Sequence, residues 1–269
     1  MNRKLLIIIA AVIAIAGIFF VLSGRKTGAA VSFANRASVS SLLKQARRFE
    51  AKGNLLEAKL LYQKLVNDFP ESSSIMDWQK KTEDINIKLL FSPVITPKSI
   101  SYSIRPGDTL NKIAREHKTT AELIMKSNDI GDSLITPGRS IKIWVAPFSM
   151  LVNKSQNILL LKSDEEIVKT YIVSTGKNNC TPVGTFKIVN KLLNPTWFKA
   201  GAIVPPESAE NVLGTRWMGF NLAGYGIHGT TAPKELGKQV TQGCVRLSNS
   251  DVQELYSIVP VGTEVTIID

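Results

Sequence analysis

Residues 225–247 read Tyr225-Gly-Ile-His228-Gly229-Thr-Thr-Ala-Pro233-Lys-Glu-Leu-Gly237-Lys-Gln-Val-Thr241-Gln242-Gly243-Cys244-Val-Arg246-Leu247. The stretch holds one of the two histidines and one of the two cysteines in the 269-residue chain. A thiol nucleophile needs a base to take its proton and a cradle of donors for the oxyanion that follows. His228 offers the base, and the backbone N–H groups of Gly243 and Cys244 offer the donors. The separation of sixteen positions is a loop-length distance. It suits a strand ending at His228, a crossover through Pro233 and Gly237, and a return at Gly243. The bland alternative for a lone cysteine is a buried apolar filler, but a filler requires neither Gly243 nor Arg246 beside it.

Other chemistries fit less well. No Gly-x-Ser-x-Gly elbow accompanies His228, so a serine hydrolase lacks its nucleophile. No His-Glu-x-x-His or Cys-x-x-Cys occurs, so a zinc site lacks its ligands. The acidic residues are scattered through turns and make no carboxylate pair.

Around this stretch the C-terminal region alternates in short apolar runs at 150–152, 158–162, 167–173, 185–189 and 263–268, the pattern of half-buried strands. One helix is expected over 250–259, capped by Ser248 or Asn249. The fold class that follows is multidomain, ending in a mainly-β domain over 147–269 with a single late helix.

Upstream, residues 101–145 read as a small αβ module. A strand at 102–104 turns at Pro106-Gly107, and Asp108 or Thr109 caps a helix bearing Leu110, Ile113 and Ala114. Thr119-Thr120 caps a second helix running to Asn128, and Pro137-Gly138 leads into a strand at 140–144. This βααβ series, with Gly-Asp-Thr-Leu, Ile-Ala and Asn128, resembles a LysM domain. The resemblance implies binding of N-acetylglucosamine-containing glycan such as peptidoglycan. His117 reads as a helix-surface residue with no catalytic part.

Residues 93–100, with Pro93 and Pro97, form a linker. Residues 40–92 read as helices, broken at Gly53-Asn54 and stopped at Phe69-Pro70. Their Ala…Phe…Gly-Asn…Glu-Ala…Tyr…Pro series resembles one tetratricopeptide-type hairpin followed by a third helix. A single repeat cannot bury its apolar face alone. A helical spacer is the preferred reading, and a docking site for a protein partner is the other.

The N-terminus begins Met-Asn-Arg-Lys and continues in an unbroken uncharged run over residues 5–22, 18 in all. That length approaches what a bilayer-spanning helix needs. No small-x-small cleavage site lies between the end of the apolar run and Arg25, so residues 1–26 are expected to form an uncleaved signal anchor rather than a removed signal peptide. Arg3 and Lys4 balance Arg25 and Lys26 across the span, so charge does not set its orientation. The formal charge of +11 invites a nucleic-acid partner, but for a chain fixed to a membrane, anionic lipid or wall polymer explains it better. No nucleic acid is expected.

The C-terminal 120 or so residues carry a further resemblance. His228-Gly229-Thr230 and Thr241-x-Gly243-Cys244-Val245-Arg246 match the active-site signature of the L,D-transpeptidase (YkuD-type) family. Ser174-Thr175-Gly176, the run Thr181 to Phe186, Asn194-Pro195-Thr196-Trp197 and Gly262-Thr263-x-Val265 match its supporting motifs. The resemblance implies Cys244 as nucleophile, His228 as general base and the Gly229 carbonyl as the group orienting the imidazole, with no metal or cofactor. Gln242 stands where many members carry histidine, and its amide is available to donate. Thr241, Gln242, Gly243 and Arg246 form the expected oxyanion and substrate contacts. Arg246 has two readings, bidentate capture of a substrate carboxylate and a structural ion pair. Cys180 is expected to be a bystander rather than the partner of Cys244 in a disulfide.

The implied activity is formation of 3→3 peptidoglycan cross-links, with release of terminal D-Ala, by an envelope enzyme on the extracytoplasmic face of the cell membrane. Its rivals are an L,D-carboxypeptidase, attachment of a protein to the wall by the same thiol, and a wall-binding scaffold without catalysis.

Overall fold

The computed structural model describes residues 28–269 except Ser133 and Ala200. The expected membrane segment therefore lies outside the described residues. Among those described, no helix is long and apolar enough to cross a membrane. The chain divides into two units, residues 1–89 and 90–269.

The first unit is helical. α1 (Gly28–Ala51), α2 (Leu55–Asp68) and α3 (Ile75–Leu90) are separated by short turns. Gly53 sits at φ 75°, the left-handed conformation that lets the chain reverse without a Cβ clash. Ala58, Tyr62, Leu65 and Val66 recur at helical spacing along one face of α2 and are buried with Ala46, Trp78 and Ile85. Tyr62 donates its hydroxyl to Glu50 at 3.0 Å, and Lys81 pairs with the same carboxylate at 3.0 Å. The sequence predicts helices from residue 40; the first of them starts earlier, at Gly28.

The second unit begins with the βααβ module: β1 (Ser99–Ser103), α4 (Leu110–Glu116), α5 (Ala121–Ser127) and β2 (Ser140–Trp144), with β1 and β2 antiparallel. Thr109 and Thr120 are the N-caps. Their hydroxyls accept from the backbone N–H of Lys112 and Leu123 at 3.2 and 2.9 Å. The first strand starts three residues before the predicted Tyr102, because Ser99 and Ile100 already pair with Trp144 and Ile143.

The C-terminal domain follows with β3 (Phe148–Asn153), β4 (Ile158–Ser163), β5 (Glu166–Ile172), β6 (Thr175–Gly176) and β7 (Gly184–Leu193). Next come β8 (Trp197–Lys199), β9 (Ala202–Val204), β10 (Arg216–Phe220), β11 (Gly226–His228), β12 (Gln239–Thr241) and β13 (Val245–Arg246). α6 (Asn249–Ile258) and β14 (Glu264–Ile268) complete it. Eight strands form one mixed sheet in the order β13-β11-β10-β7-β14-β3-β4-β5.

That sheet curls until its edges meet. Ser174, just past β5 at one edge, bridges Arg246 of β13 at the other, through reciprocal backbone bonds of 2.8 and 2.9 Å. Closure removes the exposed edges an open sheet would present. It also brings the Ser174-Thr175-Gly176 turn beside the end of the 225–247 stretch, where β6 pairs with β12.

The module does not hang free of this domain. Thr120 donates its hydroxyl to the Ser257 carbonyl in α6, and Lys126 Nζ lies 3.0 Å from Ser257 Oγ. On the other side, Trp144 Nε1 donates to Ser163 Oγ at 3.3 Å and its ring stacks on Phe148. Apolar stacking and directional bonds at two separated points hold the pair as one packed unit.

Candidate active site

The 225–247 stretch folds as its sequence predicts, a strand to His228, a crossover and a return. β11 and β13 run parallel and adjacent, with Ile227 opposite Val245 and His228 opposite Arg246. Side chains alternate with period two along a strand, so Cys244, two residues before Arg246, lies diagonally across from His228. Both line one cavity of about 590 Å³, together with Arg246, Thr241 and Gln242. Trp197, Phe198, Leu213, Trp217 and Tyr225 supply its apolar walls.

His228 is 3% exposed. Its Nδ1 lies 2.8 Å from the Gly229 carbonyl, which assigns the proton of the neutral ring to Nδ1 and leaves Nε2 with its lone pair. Trp217, opposite it on β10, stacks on the ring with centroids 6.0 Å apart. Burial pushes the imidazole down to about 4. The nearby Arg246 charge lowers it further, whereas the Gly229 and Leu213 carbonyls favour the protonated ring.

Cys244 is half-buried and its thiol reaches the Gly224 carbonyl at 3.5 Å. Burial pushes the thiol up from its ordinary value, opposed by the Gly226 N–H and by the Arg246 charge. The two reacting groups are thus moved in opposite directions, and the resting pair is a neutral thiol with a neutral imidazole. Burial of both groups disfavours a standing thiolate–imidazolium pair.

The turn before the cysteine is tightly specified. Gly243 sits at φ 121°, and a Cβ there would meet the Tyr225 ring at 2.7 Å. Its N–H donates to Thr241 Oγ1 at 3.2 Å, and the same hydroxyl donates to the Cys244 carbonyl at 2.7 Å. The Gly243 N–H is therefore engaged by Thr241, which narrows the expected donor pair to Cys244. Gln242 is exposed at the cavity rim.

Arg246 resolves toward its structural reading in the resting protein. Its Nη1 lies 2.5 Å from Glu235 Oε2, on the turn formed by Pro233–Glu235 in the crossover. Its Nε is buried without a hydrogen-bond partner. Cys180 and Cys244 are both free thiols. His117 caps the end of α4, edge-on to Tyr102 at 5.5 Å, outside the cavity.

Sequence reasoning missed Glu235, Trp217, Tyr225 and Asn249. Asn249 was read only as an alternative helix cap, a role taken by Ser248, whose hydroxyl accepts from Asp251 N at 3.0 Å. No local signal marks the role of Asn249: Gly214 and Gly229, whose missing Cβ positions both abut its Oδ1, are distant in sequence and meet it only in the fold.

Residues 147–267 match the YkuD family, an L,D-transpeptidase catalytic domain, and residues 102–144 match the LysM domain. A Bacillus subtilis protein provisionally named L,D-transpeptidase YkuD is 34% identical over 175 residues, covering 62% of this chain and 98% of its own. An Escherichia coli K12 protein provisionally named L,D-transpeptidase YbiS is 37% identical over 194 residues, covering 62% and 63%. The solved catalytic domain of the Enterococcus faecium L,D-transpeptidase aligns at 23% identity and TM-score 0.39, over 46% of this chain and 98% of that one. With a LysM domain packed against a curled sheet whose cavity holds His228 and Cys244, and with close to the whole length of its Bacillus subtilis relative matched, the chain belongs to the YkuD family of L,D-transpeptidases.

Proposed function

We propose that this protein forms 3→3 peptidoglycan cross-links through a thioester on Cys244. The observation that carries the reading is the single cavity lined by Cys244, His228 and Arg246, with the His228 Nδ1 proton fixed on the Gly229 carbonyl.

Because the resting pair is neutral, His228 acts as a general base during attack rather than as the partner of a standing thiolate. The donor is a tetrapeptide stem. The Cys244 sulfur attacks the carbonyl of its third residue as the thiol proton passes to His228 Nε2. The Gly229 and Leu213 carbonyls stabilise the imidazolium so formed. The Cys244 N–H and the Gln242 amide support the oxyanion. On collapse, His228 returns the proton to the departing amine and D-Ala leaves. A side-chain amine of a second stem then attacks the thioester, loses its proton to His228 and expels the thiol. The amide that forms is the cross-link. Arg246 takes the substrate carboxylate by exchanging its Glu235 contact for it.

The LysM domain holds glycan of the same polymer, which raises the local stem concentration. The apolar run at 5–22 anchors the chain in the cell membrane with this unit outside it, where the substrate lies. The helices of residues 28–90 act as a spacer.

Incubating the full-length chain with purified disaccharide-tetrapeptides tests the reading. D-Ala release with cross-linked dimer is the expected outcome. D-Ala release without dimer would reassign it as an L,D-carboxypeptidase, and no release from wild type would leave a wall-binding scaffold.

A further inference from the structure

Three segments converge on one side chain at the start of α6. Asn249 Oδ1 accepts from the backbone N–H of Thr215 and of Thr230, both at 3.2 Å. Its Nδ2 donates to the Thr230 carbonyl at 2.9 Å. Asn249 therefore grips the Thr230 backbone from both sides and ties it to the start of β10. The glycines on either side of this grip are required by it. A Cβ at Gly229 or at Gly214 would collide with Asn249 Oδ1 itself, and one at Gly214 would lie 2.6 Å from Thr230 N. The chain has given up two side chains so that one amide can sit between these strands.

The peptide held in this way joins Gly229 to Thr230, and its carbonyl is the Gly229 oxygen that lies 2.8 Å from His228 Nδ1. Asn249 Oδ1 takes the N–H of that same peptide unit. A peptide group is planar, so fixing its N–H fixes where its carbonyl points. The three groups form a relay: side-chain amide, peptide plane, imidazole. Such partners set which ring nitrogen carries the proton.

We infer that Asn249 is a positioning residue for the acyl-transfer reaction, which orients the His228 ring and selects its Nδ1–H tautomer through the Gly229–Thr230 peptide. It touches no reacting atom. A serine or alanine at this position would keep α6, whose N-cap is Ser248, but would release the peptide plane. The inference deepens the proposed transpeptidase reading and rests on it for its catalytic consequence only; the tautomer itself is a property of the free protein.

The test uses the full-length chain as wild type, Asn249→Ala, Asn249→Asp and Cys244→Ala. Two readouts are taken, the 15N shifts of the imidazole nitrogens near pH 7 and the rate of carbapenem acylation by intact mass. Wild type and Cys244→Ala should show one protonated Nδ1 and one unprotonated Nε2 at His228. Asn249→Ala should show averaged nitrogens and acylate about 10- to 100-fold more slowly, the cost of a misplaced catalytic group. Asn249→Asp keeps an oxygen acceptor for the Thr215 and Thr230 N–H groups but loses the N–H given to the Thr230 carbonyl; it should retain the single tautomer, with acylation between that of wild type and that of Asn249→Ala. A slow Asn249→Ala enzyme with an unchanged tautomer would overturn the inference, as would an unchanged rate. Where the alanine variant does not fold, the aspartate variant decides, and loss of the Nδ1–H tautomer there counts against it. Should wild type fail to acylate while its nitrogens behave as stated, the transpeptidase reading fails and the positioning role stands.

Discussion

The burial of His228 predicts that the folded protein refuses a proton over a range where the unfolded chain accepts one. The imidazole titrates at about 4 in the fold against an ordinary value of 6.5. Desolvation is the leading cause, helped by the Arg246 charge and opposed by the Gly229 and Leu213 carbonyls. A difference of about 2.5 pH units corresponds to about 3 kcal/mol. The sign follows from proton counting. Between pH 6.5 and 4 the unfolded state binds more protons than the folded one, so stability is fully present above about 6.5 and is lost as pH falls through about 4. A loss of about 3 kcal/mol is a large share of the 5–15 kcal/mol that holds a typical domain. With only two histidines in the chain, imidazole NMR titration of the full-length protein reads the value directly, and His117→Gln assigns the remaining resonance to His228. Denaturant unfolding of wild type and His228→Gln between pH 7 and 4 gives the matching energy: the variant should lose less stability by about 3 kcal/mol. A His228 midpoint near 6.5, or parallel pH slopes for the two proteins, would refute the neutral-pair account and restore a standing thiolate–imidazolium pair.

Two further outcomes follow from single residues. Gly243→Ala forces a Cβ to within 2.7 Å of the Tyr225 ring at a φ of 121°; strain of about 1–3 kcal/mol falls on the residue before the nucleophile, so thermal denaturation should show a modest loss while carbapenem acylation falls by more than tenfold. Asn128 staples the LysM domain by accepting from Lys142 N at 2.7 Å and donating to the Lys142 and Ile124 carbonyls at 2.8 Å. Asn128→Ala leaves these buried groups unpaired at about 1–3 kcal/mol each, so glycan binding should weaken and amide exchange in β2 accelerate, with the C-terminal sheet unaffected.

The parts of this molecule legible in its sequence are those set by local periodicity. β3, β4, β5, β7 and β14 appear where apolar residues alternate, and α6 follows its Ser248 cap. Thr109 and Thr120 announce both LysM helices because a cap acts within three residues. β10 escaped notice because Arg-Trp-Met-Gly-Phe offers no clean alternation, and Gly219 inside it makes room for the Asn190 side chain, 2.5 Å from where a Cβ would stand. The β8–β9 hairpin escaped because its apolar residues face outward, Phe198 at 75% and Ile203 at 71% exposure. At the site, Cys244 and His228 were legible from their types and spacing, and the Gly229 carbonyl only through the family resemblance. Glu235 and Asn249 were not: one meets Arg246 only after the crossover folds back, and the other acts on backbone atoms 19 and 34 residues away. Sequence shows which side chains carry chemistry; it hides those that act by holding peptide planes.

The most direct test of the central claim is the mass of the intact protein after exposure to a carbapenem. An active Cys244 in this cavity should gain one drug mass per chain in wild type and none in Cys244→Ala, with Cys180→Ser labelled like wild type. Equal labelling of Cys244→Ala and wild type, or a wild-type protein that stays unlabelled while folded, would contradict the assignment of Cys244 as the nucleophile.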